Sequence, residues 1–226
     1  MTKIDTSKIV APESVRRCAA GLADRIEALP ECETRRLVAI AGPPGSGKST
    51  LAEAVVGILT ERGHGAVLMP MDGFHLDDRL LEPRGLLARK GAPETFDFGG
   101  FACTLNRVRD ECSVILPVFD RAREIAVAGA AEISAQTRIV IVEGNYLCFD
   151  EAPWRSLANL WDLSVFLDVP LAELEQRLIE RWRGYGFDLD AARTKALGND
   201  IPNARRVASA RVKVDIVLSE RGAGYE

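Results

Sequence analysis

The apolar run Leu37-Val38-Ala39-Ile40-Ala41 meets Gly42-Pro43-Pro44-Gly45-Ser46-Gly47-Lys48-Ser49-Thr50 with no spacer. The second segment is a full match to G-x-x-x-x-G-K-[ST]. Leu51, Val55, Ile58 and Leu59 follow as the stripe of a helix that ends at Arg62-Gly63. Few folds accept a buried strand running through a glycine-rich loop into a helix. Glycines let the backbone curl so that successive N–H groups face one anion, and the helix aims its N-terminus at the same point. In such a loop Lys48 reaches the β- and γ-phosphates of a nucleotide, and the Ser49 hydroxyl ligates magnesium. A glycine-rich turn without a ligand would lack this strand and helix context.

The rest of the chain agrees with that opening. Ala66 to Met71, Ile139 to Val142, Ser164 to Val169 and Val214 to Leu218 read as further buried strands. Helical stretches separate most of them: Phe101 to Cys112, Pro170 to Arg183 and Leu189 to Leu197. Strands apolar on both faces, alternating with helices, predict a parallel sheet covered on both sides. Pro70 removes a ladder donor, so the second strand should lie at the sheet edge or end there. Before this core, Val15, Ala19, Leu22, Ile26 and Leu29 mark an amphipathic helix within residues 1–34. We expect one domain over 1–226, with 73–138 as an excursion beside the nucleotide core and 171–200 as a lid region.

Bulk properties exclude several classes. The 226 residues are 47% hydrophobic and 27% charged, with a net charge of -4. No basic excess or stripe suggests a nucleic-acid partner. Cys18, Cys32, Cys103, Cys112 and Cys148 are widely spaced, without a Cys-x-x-Cys pair, so neither zinc nor a disulfide framework is indicated. MTKIDTSK lacks an apolar signal core and no run reaches membrane-spanning length, so a cytoplasmic protein with no membrane partner is expected. Nothing sets the oligomeric state, a homodimer included.

Asp72 follows the second strand, and ligands of open parallel sheets gather at the C-terminal strand ends. It should therefore face the γ-phosphate region, although Asp72-Gly73 is equally a turn dipeptide. Glu143 ends the uncharged run Ile139-Val140-Ile141-Val142, near enough to the loop to hold magnesium or to form a structural ion pair. Leu171, Leu174, Leu178 and Trp182 form a buried stripe, while Arg177 and Arg181 share another face with Arg183 nearby. Like charges at this spacing repel unless an anion lies between them, or unless Glu173 and Glu180 shield them on a solvated face.

The Asp72-Gly73-Phe74-His75 stretch after the loop resembles the phosphoribulokinase, uridine kinase and bacterial pantothenate kinase family. Arg89-Lys90-Gly91-Ala92-Pro93-Glu94-Thr95-Phe96-Asp97 is similar to that family's substrate-side segment. Pro117-Val118-Phe119-Asp120-Arg121 is similar to its Pro-x-Tyr-Asp segment, and Glu143-Gly144 to its Glu-Gly strand end. The resemblance spans roughly residues 35 to 220 and is closest to a bacterial branch labelled fructose-transport-system kinases. It implies a three-layer P-loop fold with five parallel strands and a lid over Gly184-Tyr185-Gly186. It also implies ATP and magnesium, and Asp72 as catalytic base. Arg177 and Arg181 would be the lid arginines, with His75, Glu94, Asp97 and Arg121 towards the substrate.

Phe119 stands where the family has tyrosine, and no His-rich pyrimidine pattern is present, which counts against a pyrimidine nucleoside. Asn199-Asp200-Ile201-Pro202-Asn203-Ala204 resembles the Asn-x-x-x-Asn region after the lid, and a capping turn explains it equally. The expected activity is phosphorylation of a hydroxyl on a sugar, nucleoside or related polyol. Rival readings are a nucleotide or dephospho-coenzyme-A type kinase, or a regulatory ATPase without an acceptor. Missing Asn-Lys-x-Asp and Leu-Ser-Gly-Gly-Gln motifs argue against GTPases and transporter ATPases.

Overall fold

The computed structural model describes residues 12–219 and 222–225. The segment MTKIDTSK lies outside the described residues. Helix α1 (Glu13–Glu27) precedes β1 (Arg36–Ala41), the glycine loop, α2 (Lys48–Glu61) and β2 (Ala66–Pro70). The excursion follows with α3 (Asp78–Leu81), α4 (Phe98–Asp110), and the strands β3 (Val114–Asp120) and β4 (Ile125–Ile133). The core resumes with β5 (Ile139–Gly144), β6 (Leu163–Asp168), α5 (Leu171–Gly184), α6 (Leu189–Lys195) and α7 (Ile201–Ser209). Two short strands, β7 (Ile216–Ser219) and β8 (Gly222–Tyr225), come last.

The main sheet runs β2-β5-β1-β6-β7-β8. Pairings through β7 are parallel, and β8 adds antiparallel to the far edge. The five expected parallel strands are therefore present, with a sixth that periodicity did not reveal. Strand β2 forms one edge and Pro70 is its last residue, the placement its missing N–H requires. Alternation along β1 builds the layers. Leu37, Ala39 and Ala41 enter a cluster with Phe101, Leu105, Trp154 and Val207, whereas Val38 and Ile40 pack with α1 and α2. Residues on both faces are fully buried, which explains why the strand reads as a continuous apolar run.

The excursion contains a hairpin of β3 and β4 that was not expected. Its register shifts between Leu116 and Val118, around Pro117, as a bulge accommodates a residue that cannot donate. Met71, Phe74, Phe96, Val114 and Leu116 join the same cluster as Leu37 and Val140, so excursion and sheet share one core.

Several boundaries differ from expectation. The Asn199–Ala204 stretch is helical rather than a capping turn. Ala196–Asp200 forms a π turn that leads directly into α7. Pro202 falls in the first turn of α7, where a missing N–H costs nothing. Leu171 is exposed, so the buried stripe of α5 begins at Leu174.

Candidate active site

Parallel register brings distant residues to one rim. Ile40 pairs with Glu143 and Ala41 with Gly144, so β5 ends level with the mouth of the glycine loop. Gly45 (φ 80°) and Gly47 (φ 88°) adopt left-handed conformations that few side chains tolerate, and this wraps the loop ahead of Lys48. Ser46 Oγ is buried there without a hydrogen-bond partner among the described residues. Such an orphaned group suits a loop built around an anion. Burial pushes the Lys48 ammonium pKa down, while the charges of Glu143 and Asp72 oppose that shift.

Ser49 Oγ donates to Glu143 Oε2 at 3.1 Å. Glu143 is 6% exposed, and burial raises its carboxyl pKa against the pull of Lys48. A hydroxyl and a carboxylate side by side are hard oxygen donors that fit magnesium. Among the described residues no group of three His, Cys, Asp or Glu could hold a metal. An ion at Ser49 and Glu143 would thus complete its shell with phosphate and water oxygens.

Asp72 lies in a 3₁₀ turn, Met71–Phe74, immediately after β2. Gly73 matters there for close approach: a Cβ would sit 2.5 Å from the Pro117 carbonyl oxygen, so the hairpin can cross over only a glycine. Arg121, from the hairpin turn, forms an ion pair with Asp72. His75 Nδ1 lies 2.8 Å from the Asp72 carbonyl oxygen, an acceptor, which assigns a proton to Nδ1. The imidazole is sandwiched by Phe96 at 4.1 Å and Phe119 at 4.6 Å between centroids, and burial lowers its pKa.

A cleft of about 200 Å³ opens between the rim and the hairpin, lined by Ser49, Glu53, Asp72, Phe119, Arg121 and Glu143 among others. It gathers four of the expected residues: Ser49, Asp72, Arg121 and Glu143. Glu94 is directed elsewhere, into an ion pair with Arg206, which also holds Glu151. Asp97 caps α4 by accepting from the Gly100 N–H at 2.9 Å. Neither Glu94 nor Asp97 lines the cleft.

From α5, Arg177 pairs with Glu173 and also approaches the Gly45 and Ser46 carbonyl oxygens at 3.4 Å. The expected Glu173 pairing and the approach to the loop thus coexist. Arg181 pairs with Asp200 at 3.3 Å instead of being shielded by Glu180, and its Nε is buried without a partner among the described residues. Trp182 Nε1 donates to the same Asp200 at 2.6 Å. Arg183 lines a separate groove between α5 and α6.

Sequence reasoning missed what lies around these groups. Asn199 Nδ2 donates to the Lys90 carbonyl oxygen at 2.7 Å, Arg89 to Asn203 Oδ1 at 3.0 Å, and Tyr146 Oη to the Gly91 carbonyl oxygen at 2.6 Å. The first two bonds tie segment 89–91 to the π turn and to α7, and the third ties it to the turn after β5. Glu53 was also missed, although it stands one turn after Ser49 on α2, a spacing that could have flagged it.

Comparison with known proteins gives consistent matches. The profile described as "Phosphoribulokinase / Uridine kinase family" matches residues 37–200. A crystal structure of a proposed fructose transport system kinase from Silicibacter sp. TM1040 is 50% identical. It covers 90% of this chain and 98% of its own, with a TM-score of 0.84. A proposed uridine kinase of Schizosaccharomyces pombe is 32% identical over 201 residues, covering 83% of this chain and 84% of its own. Pantothenate kinase of Enterococcus faecalis is 32% identical over 160 residues, 69% of this chain and 51% of its own.

Proposed function

The chain belongs to the phosphoribulokinase / uridine kinase family, and from that premise we propose the following chemistry for an ATP-dependent small-molecule kinase. The acceptor is a hydroxyl of a sugar, nucleoside or related polyol, and it enters the cleft between the sheet rim and the hairpin. Asp72 orients this hydroxyl and takes its proton as the oxygen bonds to the γ-phosphorus. The bond from that phosphorus to the β,γ-bridging oxygen breaks, and ADP leaves. Lys48 and the loop N–H groups hold the phosphates, and Ser49 with Glu143 would hold magnesium. That ion, when bound, supplies neutralising charge for the phosphates. Arg177 and Arg181 stabilise the transferring group from the lid side. The same reading takes the chain as one cytoplasmic domain; separately, among the described residues no helix is long and apolar enough to cross a membrane.

The observation that carries this reading is the convergence of Asp72, Ser49 and Glu143 on one cleft. An isolated turn aspartate would have no reason to share a cleft with Ser49 of the phosphate loop and with Glu143. The names of relatives point to different acceptors, among them uridine and pantothenate, so acceptor choice belongs to this chain's own loops. The reading is tested by following ADP release across nucleosides, sugars, glycerate, pantothenate and related alcohols. Stimulation by one class supports it. ADP release indifferent to every added metabolite would mark a regulatory ATPase, and stimulation by nucleotides or dephospho-coenzyme A would mark the other rival.

A further inference from the structure

The lining of the cleft carries three carboxylates, Glu53, Asp72 and Glu143, and a single cation, Arg121. That cation is engaged with the group proposed to act as base. The guanidinium sits on Asp72 Oδ2, so an acceptor hydroxyl must either share the carboxylate with that cation at Oδ1 or displace it from Oδ2. Release of Arg121 frees both oxygens for the hydroxyl.

Exposure decides which partner moves. The Asp72 side chain is 21% exposed and sits two residues beyond the end of β2, whereas Arg121 is 61% exposed on the hairpin turn. The arginine is the mobile partner. Three kinds of acceptor can then be compared. A cationic acceptor would replace Arg121 at Asp72 and leave the base still paired. A neutral polyol would offer Arg121 no charge in exchange. An acceptor bearing an oxyanion would take over the guanidinium and leave Asp72 free for the hydroxyl.

The surroundings of Arg121 favour the third case. Arg121 lies over the Phe119 ring at 5.5 Å from its centroid, and Lys90 Nζ lies 5.6 Å from the same centroid. Lys90 is itself held by Asp78 and by the Glu124 carbonyl oxygen, each at 2.7 Å. Two cations thus stand beside one aromatic ring of the cleft lining, Arg121 within the lining and Lys90 outside it. Adjacent charges of opposite sign orient a dipolar ligand, with its hydroxyl on Asp72 and its anion on the Arg121 guanidinium.

We propose that Arg121 is the specificity-determining residue for an acceptor that carries an oxyanion, a carboxylate or a phosphate, beside its hydroxyl. Exchange of Asp72 for that oxyanion at Arg121 couples acceptor binding to release of the base. This inference rests on the kinase reading above and narrows its substrate class.

Matched acceptors test it: glycerol against glycerate and glycerol 3-phosphate, ribose against ribose 5-phosphate, and pantothenol against pantothenate. ADP release is measured for the full chain and for Arg121→Gln and Arg121→Lys. The wild-type protein should favour the acidic member of the productive set by at least about tenfold in kcat/KM, as expected for a charge-assisted contact. Glycerate and pantothenate against the two phosphates distinguish the oxyanion. Arg121→Gln should collapse the preference by raising KM for the acidic member about tenfold or more. Arg121→Lys should restore part of the preference. A neutral member used as well as its acid, or a preference that survives in Arg121→Gln, overturns the inference and leaves the kinase reading standing. Silence from every member in the wild-type protein counts against the kinase reading first, and the inference falls with it.

Discussion

Ser49 Oγ, in the first turn of α2, donates to Glu143 Oε2, on the penultimate residue of β5, across 3.1 Å. The two residues stand 94 positions apart in sequence. They meet because β5 lies beside β1 with Ile40 opposite Glu143, just short of the loop. A buried carboxylate without a full counter-charge is costly, and its raised pKa expresses that cost. A divalent ion beside it would remove the penalty.

From this we expect Glu143→Gln to weaken magnesium dependence before it weakens nucleotide binding. The magnesium concentration giving half-maximal turnover should rise by about tenfold, the lower range for loss of a metal-site group. The ligand-free variant should melt no lower than wild type, since a buried charge has been removed. An unchanged magnesium titration would remove Glu143 from the metal site.

Lys48→Ala should lose phosphoryl transfer while the protein stays folded. The half-buried ammonium contributes charge at the β- and γ-phosphates, and nothing else in the loop replaces it. Normal turnover in that variant would contradict the assignment of the loop.

Arg177→Ala and Arg181→Ala should each depress kcat by roughly ten- to a hundredfold, the worth of a charged hydrogen bond, with a smaller change in the KM for ATP. Asp200→Asn should follow Arg181→Ala, because it keeps an acceptor for the Trp182 indole but no longer anchors the guanidinium. Steady-state kinetics on the three variants check this. Wild-type kcat in both arginine variants would place the lid elsewhere.

His75 provides a stability signature. Burial holds its folded pKa below the ordinary 6.5, against the attraction of Asp72 and with Arg121 and Lys90 adding to the depression. Between the folded value and 6.5 the unfolded chain binds more protons, so this contribution is intact above 6.5 and is lost as pH falls through that window. His75→Gln retains a donor for the Asp72 carbonyl oxygen without titrating. Its Tm should therefore drop less than that of wild type between about pH 7.5 and about pH 5. Parallel Tm curves would contradict a neutral, buried His75.

The loop and its flanking elements were legible because two periodicities and a glycine pattern changed at the same residues, 41 to 48. Asp72 was legible as the first acid beyond a strand, and Pro70 correctly marked that strand as an edge. The hairpin was not legible. Pro117 interrupts β3, and β4 is a mostly exposed run of Ala, Gly and Val without a clear alternation. Glu94 could not be separated from the cleft residues, because its partner Arg206 is 112 positions away. Asp97 had a local signal that pointed to its observed role, an acid three residues before Gly100 at a helix start. Asp200 was hidden by a π turn, where helical spacing slips by one residue.

The central claim is that Asp72 accepts the proton of the acceptor hydroxyl. Asp72→Asn keeps size and hydrogen-bonding capacity but loses basicity. The most direct measurement is single-turnover phosphoryl transfer by this variant, with ATP affinity and Tm determined on the same preparation. Our account predicts near-normal ATP affinity, a folded protein, and transfer slowed by about two to four orders of magnitude. Wild-type single-turnover rates in folded Asp72→Asn protein would contradict it.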